Sequence, residues 1–381
     1  EPCLHHYHQT PDPMADAEVL QEDAPRIHCA NCGAELRYQP GTTVLQCEFC
    51  STENQIDESA VEIRENDLLE QIDARVTEQG KEEVQTLECQ SCGAINPFDK
   101  ELVGQDCVFC GGHLLLKNAA LQEKIKPQAL VPFQMEHRDA LKRYHAWLKS
   151  LWFAPNKLKE MQNHPNVLKG IYIPYWTFDA QTSSDYSGLR GTNHTTMESY
   201  TTTVDGKSVT RSRPKTTIIW MPAAGHVDQF FDDVLELGSS SLPRLRAMSL
   251  DPWDLKALVP YESDYLRGFI VEHYAVELDQ AWQQARKTID GKIRMLVRRD
   301  IGGDHQQITL LNTDWSELTF KHILLPVYVS AYRYKGKPYT FMINGQTGEV
   351  QGERPWSYGK IAAVVLVVLV VVAVIWVLSE G

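Results

Sequence analysis

Cys29-Ala-Asn-Cys32-Gly33-Ala34, answered fourteen residues on by Cys47-Glu-Phe-Cys50, is the stretch that sets the first fold expectation. The same figure returns sixty residues later as Cys89-Gln-Ser-Cys92-Gly93-Ala94 and, after another fourteen, Cys107-Val-Phe-Cys110. Tetrahedral zinc takes four soft ligands, and two Cys-x-x-Cys pairs on short hairpins supply them. Gly33 and Gly93 sit just after the second cysteine of the first pair, where a tight knuckle turns through positive φ. The spacing therefore predicts two tandem zinc ribbons holding two structural Zn2+ ions, with a rubredoxin-like four-sulfur iron site as the competitor. A closed shell of four thiolates leaves no position for substrate, so the metal is expected to be structural. Disulfides are the other use of eight cysteines, but this is the metal spacing and nothing at the N-terminus reads as a signal peptide.

The C-terminus is equally plain. Ile361 to Leu378 is a run of eighteen apolar residues, half of them valine. As a helix it spans about 27 Å, close to the roughly 30 Å hydrocarbon core of a bilayer. It shows no polar face, and strands rarely exceed about ten residues. A single transmembrane helix over 361–378 is expected, with the chain tail-anchored. Arg354 and Lys360 precede the span and no basic residue follows it, which orients the larger N-terminal part to the cytosol at the inner membrane. Reduced, metal-bound thiols belong in that compartment too.

Charge narrows the partners. Residues 1–118 hold 23 Asp/Glu against 7 Lys/Arg, a net of −16; the remainder holds 27 against 30, a net of +3, and the two sum to −13. Nucleic-acid binding runs on counterion release by Lys and Arg, so an acidic ribbon module favours protein partners over DNA or RNA. Residues 1–26 read as a disordered lead-in. Within it Cys3, His5, His6 and His8 could bind metal, but Met14-Ala-Asp-Ala-Glu18 resembles an ordinary start, and residues 1–13 read as upstream sequence. Between the ribbons, Glu58 to Gln79 reads as a helix with a partial stripe of Ile63, Leu68, Leu69, Ile72 and Val76, a solvated spacer or a partner-binding helix.

The middle of the chain reads as α+β. Ala140, Tyr144, Trp147, Leu148 and Leu151 lie at helical spacing. Ile171 to Ala180 reads as a strand, followed by a meander at 184–191, 197–204 and 207–220 around a turn at Asp205-Gly206. Helices are expected over about 227–249 and 264–290, then a further sheet. There is an internal echo: Leu130-Val-Pro-Phe133 and Ile171-Tyr-Ile-Pro-Tyr175 against Leu258-Val-Pro-Tyr261 and Ile323-Leu-Leu-Pro-Val327, which reads as a degenerate duplication. The last hairpin turns at Asn344-Gly-Gln-Thr-Gly348. The aromatic band Tyr172, Tyr175, Trp176, Phe178, Tyr328, Tyr332, Tyr334 and Tyr339 reads as sheet packing, with a ligand groove or base-stacking platform as the alternative.

Catalytic signatures are missing. The sequence has no Gly-x-x-x-x-Gly-Lys-Ser/Thr, His-Glu-x-x-His or Gly-x-Ser-x-Gly. His145, His226, His273 and His322 are scattered, Asp232-Asp233 reads as helix-cap or solvated acids, and no enzyme activity is expected. Arg211, Arg213 and Lys215, with Arg294, Arg298 and Arg299, read as solvated strand faces, or else as contacts to anionic lipid.

The paired ribbons, Ile171-Tyr-Ile-Pro-Tyr-Trp-Thr-Phe-Asp-Ala180, Tyr186-Ser-Gly188, Leu325-Pro-Val-Tyr328, Asn344-Gly-Gln-Thr-Gly-Glu-Val350 and Gly352-Glu-Arg-Pro355 together resemble a family of bacterial membrane-anchored TFIIB-type zinc-ribbon proteins. Its members often carry the label "primosomal protein N′ (replication factor Y), helicase-like". The resemblance runs from about Ile27 to the anchor. A helicase needs nucleotide-binding motifs and two motor domains, and this chain has neither. The resemblance implies instead a cytosolic-facing adaptor at the membrane, whose partners in some relatives are SPFH/band-7 or phage-shock type envelope-stress proteins. A membrane-tethered nucleic-acid-binding ribbon protein is the alternative. The expected organisation is therefore ribbon 1 over 27–55, a helical linker over 56–85, ribbon 2 over 86–117, an α+β domain over 121–357 and the membrane helix.

Overall fold

A computed structural model describes residues 28–56, 63–73, 81–92, 94–97, 107, 109–110, 112, 119–155, 168–204, 207–334 and 337–380. The lead-in at 1–26, with its Cys-His tract, lies outside the described residues, as do the side chains of Tyr332 and Tyr334. Ribbon 1 is a three-stranded antiparallel sheet of β1 (Arg37–Tyr38), β2 (Val44–Gln46) and β3 (Glu53–Gln55). Next come β4 (Asn66–Asp67) and α1 (Leu68–Asp73). Ribbon 2 follows with β5 (Lys81–Glu88), β6 (Ile95–Pro97) and β7 (Ala119–Ile125), in the order β6-β5-β7. The linker helix is thus shorter than its stripe suggested: among the described residues it covers Leu68–Asp73, and by Lys81 the chain is already in ribbon 2's sheet.

The body is a nine-stranded sheet. After β8 (Ala129–Leu130) and α2 (His137–Ser150) the chain enters β9 (Lys169–Val204) and β10 (Lys207–Leu237). Helix α3 (Arg244–Met248), β11 (Val259–Pro260), β12 (Ile270–Val271) and α4 (Leu278–Ile301) lead to β13 (His305–Tyr334), β14 (Lys337–Asn344) and β15 (Val350–Gly352). The spine order is β10-β9-β13-β14-β15, and its adjacent pairs are antiparallel.

Two expectations change here. The meander is one 36-residue strand, β9, paired with a 31-residue β10. Gly188, inside the long strand, is a close-packing position. A Cβ on Gly188 would lie 2.2 Å from the Gln307 carbonyl oxygen on the neighbouring strand, so only glycine lets the backbones approach. The helix expected over 227–249 is strand as far as Leu237. A β-bulge between Phe231 and Val234, with Asp233 at φ +48°, inserts a residue into the alternation. The bulge puts Phe231 and Val234, three apart, into one core, and Leu237, three further on, is buried on the opposite face, so the three together mimic helical spacing. The second helix runs later than expected. Leu278, Ala281, Ala285, Ile289, Ile293, Val297 and Ile301 form its buried stripe, and Gly302 at φ +67° ends it.

Alternation along the spine builds a core on each face beside the ribbons, and farther along it Trp176, Phe178 and Phe320 form a third cluster against α4. Tyr172, Leu324, Tyr328, Phe341 and Ile343 face α2 and ribbon 1, joining Ala140, Tyr144, Leu148, Leu36, Tyr38 and Leu45. Ile171, Ile173, Tyr175, Ile323, Leu325, Val327 and Met342 face the other way, onto Leu87, Ala94, Phe109 and α3. The two ribbons therefore sit on opposite faces of one sheet. Strand period two forces that separation once neighbouring residues are both apolar. The aromatic band is core: Tyr172, Tyr175, Trp176, Phe178 and Tyr328 are all at most 1% exposed.

The internal echo has a geometric counterpart. The echo aligns Ile173 with Leu325, and these two residues are direct partners across the β9–β13 ladder. Leu130 likewise pairs with Val259, within the Leu-Val-Pro repeats. In the final turn, Gly348 takes φ +81°, while Gly345 is there for close approach, since a Cβ would meet the Phe133 ring at 2.6 Å. Asn344 is fully buried and donates to the Leu250 and Pro252 carbonyls, so this segment clamps the 250–254 loop. Helix α5 (Tyr358–Glu380) follows β15; its first turn is tied to the body by Lys360 Nζ donating to the Ala154 carbonyl at 2.7 Å, while the apolar span, with a mean hydropathy of 3.5, is not buried.

Two candidate metal centres and the surface around them

Each cysteine pair is shaped by the same short turn. The backbone N–H of Cys29 donates to Ala34, that of Cys47 to Thr52, that of Cys89 to Ala94 and that of Cys107 to Gly112, at 2.8, 3.0, 2.9 and 2.6 Å. The bond spans five residues each time and turns both sulfurs of a pair to one side. Gly33 makes the expected positive-φ turn at +72°, and Ser51, the equivalent position in the second knuckle, takes φ +57° without being glycine.

The sulfurs converge as the spacing predicts. In ribbon 1, Cys29 Sγ is 3.5 Å from Cys50 and Cys32 Sγ is 3.5 Å from Cys47. In ribbon 2, Cys89 to Cys110 is 3.6 Å and Cys92 to Cys107 is 3.7 Å. Within each set the four ligand atoms lie within 4.8 Å of one another. A disulfide would hold them at about 2.05 Å. A tetrahedral ion with bonds of about 2.3 Å separates its sulfurs by about 3.8 Å, so the donor sets fit such an ion. The two centres differ in access. Cys32 is exposed and Cys50 half-buried, whereas Cys92 is half-buried and Cys89, Cys107 and Cys110 are buried.

Both ribbons are fixed to the body. Tyr38 O–H donates to the Thr42 and Phe133 carbonyls at 2.9 and 3.3 Å, and its ring meets Tyr265 edge-on at 5.2 Å. On the other side, Ile125 N–H donates to Tyr274 Oη at 3.0 Å and Lys124 pairs with Glu277 at 3.2 Å. Beside ribbon 2, the Glu272 carboxyl is 1% exposed and accepts from Ser239 at 2.8 Å; burial pushes it up to about 8. What the docked ribbon 1 leaves in solvent is an acidic surface bearing Glu35, Glu48 and Glu53, with the Phe49 ring 81% exposed at the tip of the second knuckle.

Sequence reasoning missed a buried charge cluster. Lys321 Nζ lies 2.8 Å from Glu65, 2.9 Å from Asp233 and 3.8 Å from Asp179, where bulges in β10 and β13 meet β9. Asp232-Asp233 is therefore neither a helix cap nor two solvated acids: Asp233 faces inward at the bulge. Burial, reinforced by Glu65, pushes the Asp179 carboxyl up to about 7. Burial would raise Glu65 as well, but hydrogen bonds with Asp179, Lys321 and Thr319 hold it down at about 2. The Lys321 ammonium occupies the place a cation would take, so the cluster reads as a staple joining three strands and the segment between the ribbons. Only the fold brings these residues together.

His226 is the nearest thing to a catalytic arrangement among the described residues. Its Nδ1 is 2.7 Å from Asp185, and its Nε2 is 3.1 Å from Ser183 and 3.0 Å from Asp228. Hydrogen bonds to Asp185 and Asp228 raise its pKa, on an exposed sheet face. Of the basic clusters, Arg211, Arg213 and Lys215 lie on an exposed strand face as expected, with Arg213 and Lys215 paired to Glu198, whereas Arg294, Arg298 and Arg299 belong to α4, not to a strand.

No family model matches the chain, and no solved structure matches it. Among curated proteins it is similar to the uncharacterized protein YdjG of Bacillus subtilis (strain 168), at 25% identity over 346 residues, which is 88% of this chain and 91% of YdjG.

Proposed function

We propose that the chain is a membrane-anchored zinc-ribbon adaptor without enzymatic activity, held at the cytosolic face of the inner membrane and recruiting a protein partner through ribbon 1. The eight cysteines hold two structural Zn2+ ions; the thiolate donor set and its near-tetrahedral spacing support zinc. The resemblance to membrane-anchored ribbon proteins supports SPFH/band-7 or phage-shock type partners. Arg354 and Lys360 ahead of α5 support the cytosolic orientation.

Phe49 carries the reading. A solvent-facing aromatic on a knuckle held by four cysteines has the character of an interface anchor, and the net acidic charge of residues 1–118 opposes a phosphate backbone. The test is crosslinking and affinity capture of the intact protein from native membranes, beside Phe49→Ala and, as control, Phe230→Ala. A discrete protein partner lost only with Phe49→Ala supports the adaptor. Recovery of nucleic acid instead, with salt-sensitive binding by the intact protein, replaces it with the tethered nucleic-acid binder.

A further inference from the structure

Strand β13 begins at His305, opposite Gly191, but β9 and β10 continue together to Val204 and Lys207. Residues 192–204 and 207–219 thus form a bare two-stranded arm about 43 Å long, at about 3.3 Å per residue. Among the described residues, no third strand or helix packs on it. Isolated two-stranded ribbons are marginal in water, so an arm of this length calls for a further strand.

Its two edges are not alike. The Asp304 N–H donates to the Gly191 carbonyl, and the Asp304 carboxylate accepts from the Asn193 N–H at 2.7 Å. Odd-numbered residues of β9 therefore turn their backbone groups toward the side where β13 stops. Even-numbered residues of β10 turn theirs to the opposite edge. That outer β10 edge is guarded: Pro214 and Pro222 remove N–H groups along it, and Arg211, Arg213 and Lys215 crowd the strand. The β9 edge has no such guard. Thr195, Met197, Ser199, Thr201 and Thr203 present N–H and C=O groups with no proline, lysine or arginine between 192 and 204. Its one acid, Glu198, is already neutralised by Arg213 and Lys215.

We propose that the open β9 edge pairs antiparallel with the same edge of a second copy of this chain. A register centred on Ser199 sets Thr195 against Thr203 and Met197 against Thr201 of the second copy, and puts Glu198 beside a tyrosine instead of another glutamate. The product is a four-stranded sheet whose two outer edges are both the guarded β10. The two-fold axis relating the copies runs normal to the sheet. Edge pairing buries little apolar surface, and confinement of both copies to a bilayer raises their effective concentration.

The experiment is mass measurement of the full chain, 43.3 kDa per protomer, by light scattering in detergent micelles. Wild type is compared with Ser199→Pro on the open edge and Ser212→Pro, its partner on the same rung but on the guarded edge. The expected result is a dimer for wild type and Ser212→Pro, and a twofold fall in mass for Ser199→Pro with metal content unchanged. A photocrosslinking benzoylphenylalanine at Tyr200 should give a covalent dimer, and one at Val209 should not. A monomeric wild type, a dimer that survives Ser199→Pro, or crosslinking from Val209 alone would overturn the proposal.

Discussion

Acidification should destabilise the body through one histidine. His322 is 3% exposed; its Nδ1–H donates to the Ile125 carbonyl at 2.8 Å, and its Nε2 is buried with no partner. The ring lies 4.8 Å from that of Trp176 and 5.3 Å from that of Tyr274. A second proton would sit on Nε2 with no acceptor, next to Lys124 and His273. Burial first, then those two neighbours, push the imidazole down to about 4 from its ordinary 6.5. The unfolded chain therefore takes up the proton first. The stabilisation is fully present above pH 6.5 and is lost as pH falls toward 4, a window worth about 3 kcal/mol at about 1.4 kcal/mol per tenfold. Urea unfolding of the full chain in micelles, between pH 7.5 and pH 4, measures it. His322→Asn keeps a donor for Ile125 but cannot titrate, so its stability should fall by about 3 kcal/mol less than wild type over that range. His273, which burial also holds near 4, titrates in both proteins and cancels in the comparison. A gap between wild type and variant that stays constant with pH would refute the reasoning.

Two further outcomes follow from the same structure. Lys321→Met strands Glu65, Asp179 and Asp233 beside one another without their cation, and should cost about 3–5 kcal/mol at pH 7; a loss below about 1 kcal/mol in urea unfolding would show that the ammonium is not what holds the bulges together. Chelator titration with a colorimetric metal readout should be biphasic, because Cys32 and Cys50 leave the first centre open while the second is mostly buried. Cys32→Ser should abolish the fast phase alone, and a single phase for wild type would contradict the difference in access.

The distinctive stretches of this sequence turn out to serve packing. Ile171-Tyr-Ile-Pro-Tyr175 fills both cores, and Asn344-Gly-Gln-Thr-Gly348 clamps a loop. Neither offers a reacting group, which is consistent with placing the candidate function on the ribbon surface and the arm.

The cysteine spacing alone marked the two four-cysteine clusters that could hold a metal ion, because four ligands at a fixed separation admit few other arrangements. The eighteen-residue apolar run determined the membrane-length helix in the same local way, since hydropathy needs no neighbours to be read. Tertiary structure decided the rest. That 169–204 runs on as one strand, where a meander was expected, shows only in its pairing with β10 and β13, as where Gly188 closes on Gln307, 119 residues away. Whether 227–237 is helix or strand depends on a bulge that makes strand burial look helical. The Lys321 cluster gathers residues from positions 65, 179, 233 and 321, and no local pattern marks such a set. The sites of the ribbons on opposite faces, and the bare β9 edge, exist only once three long strands are paired and one of them stops short.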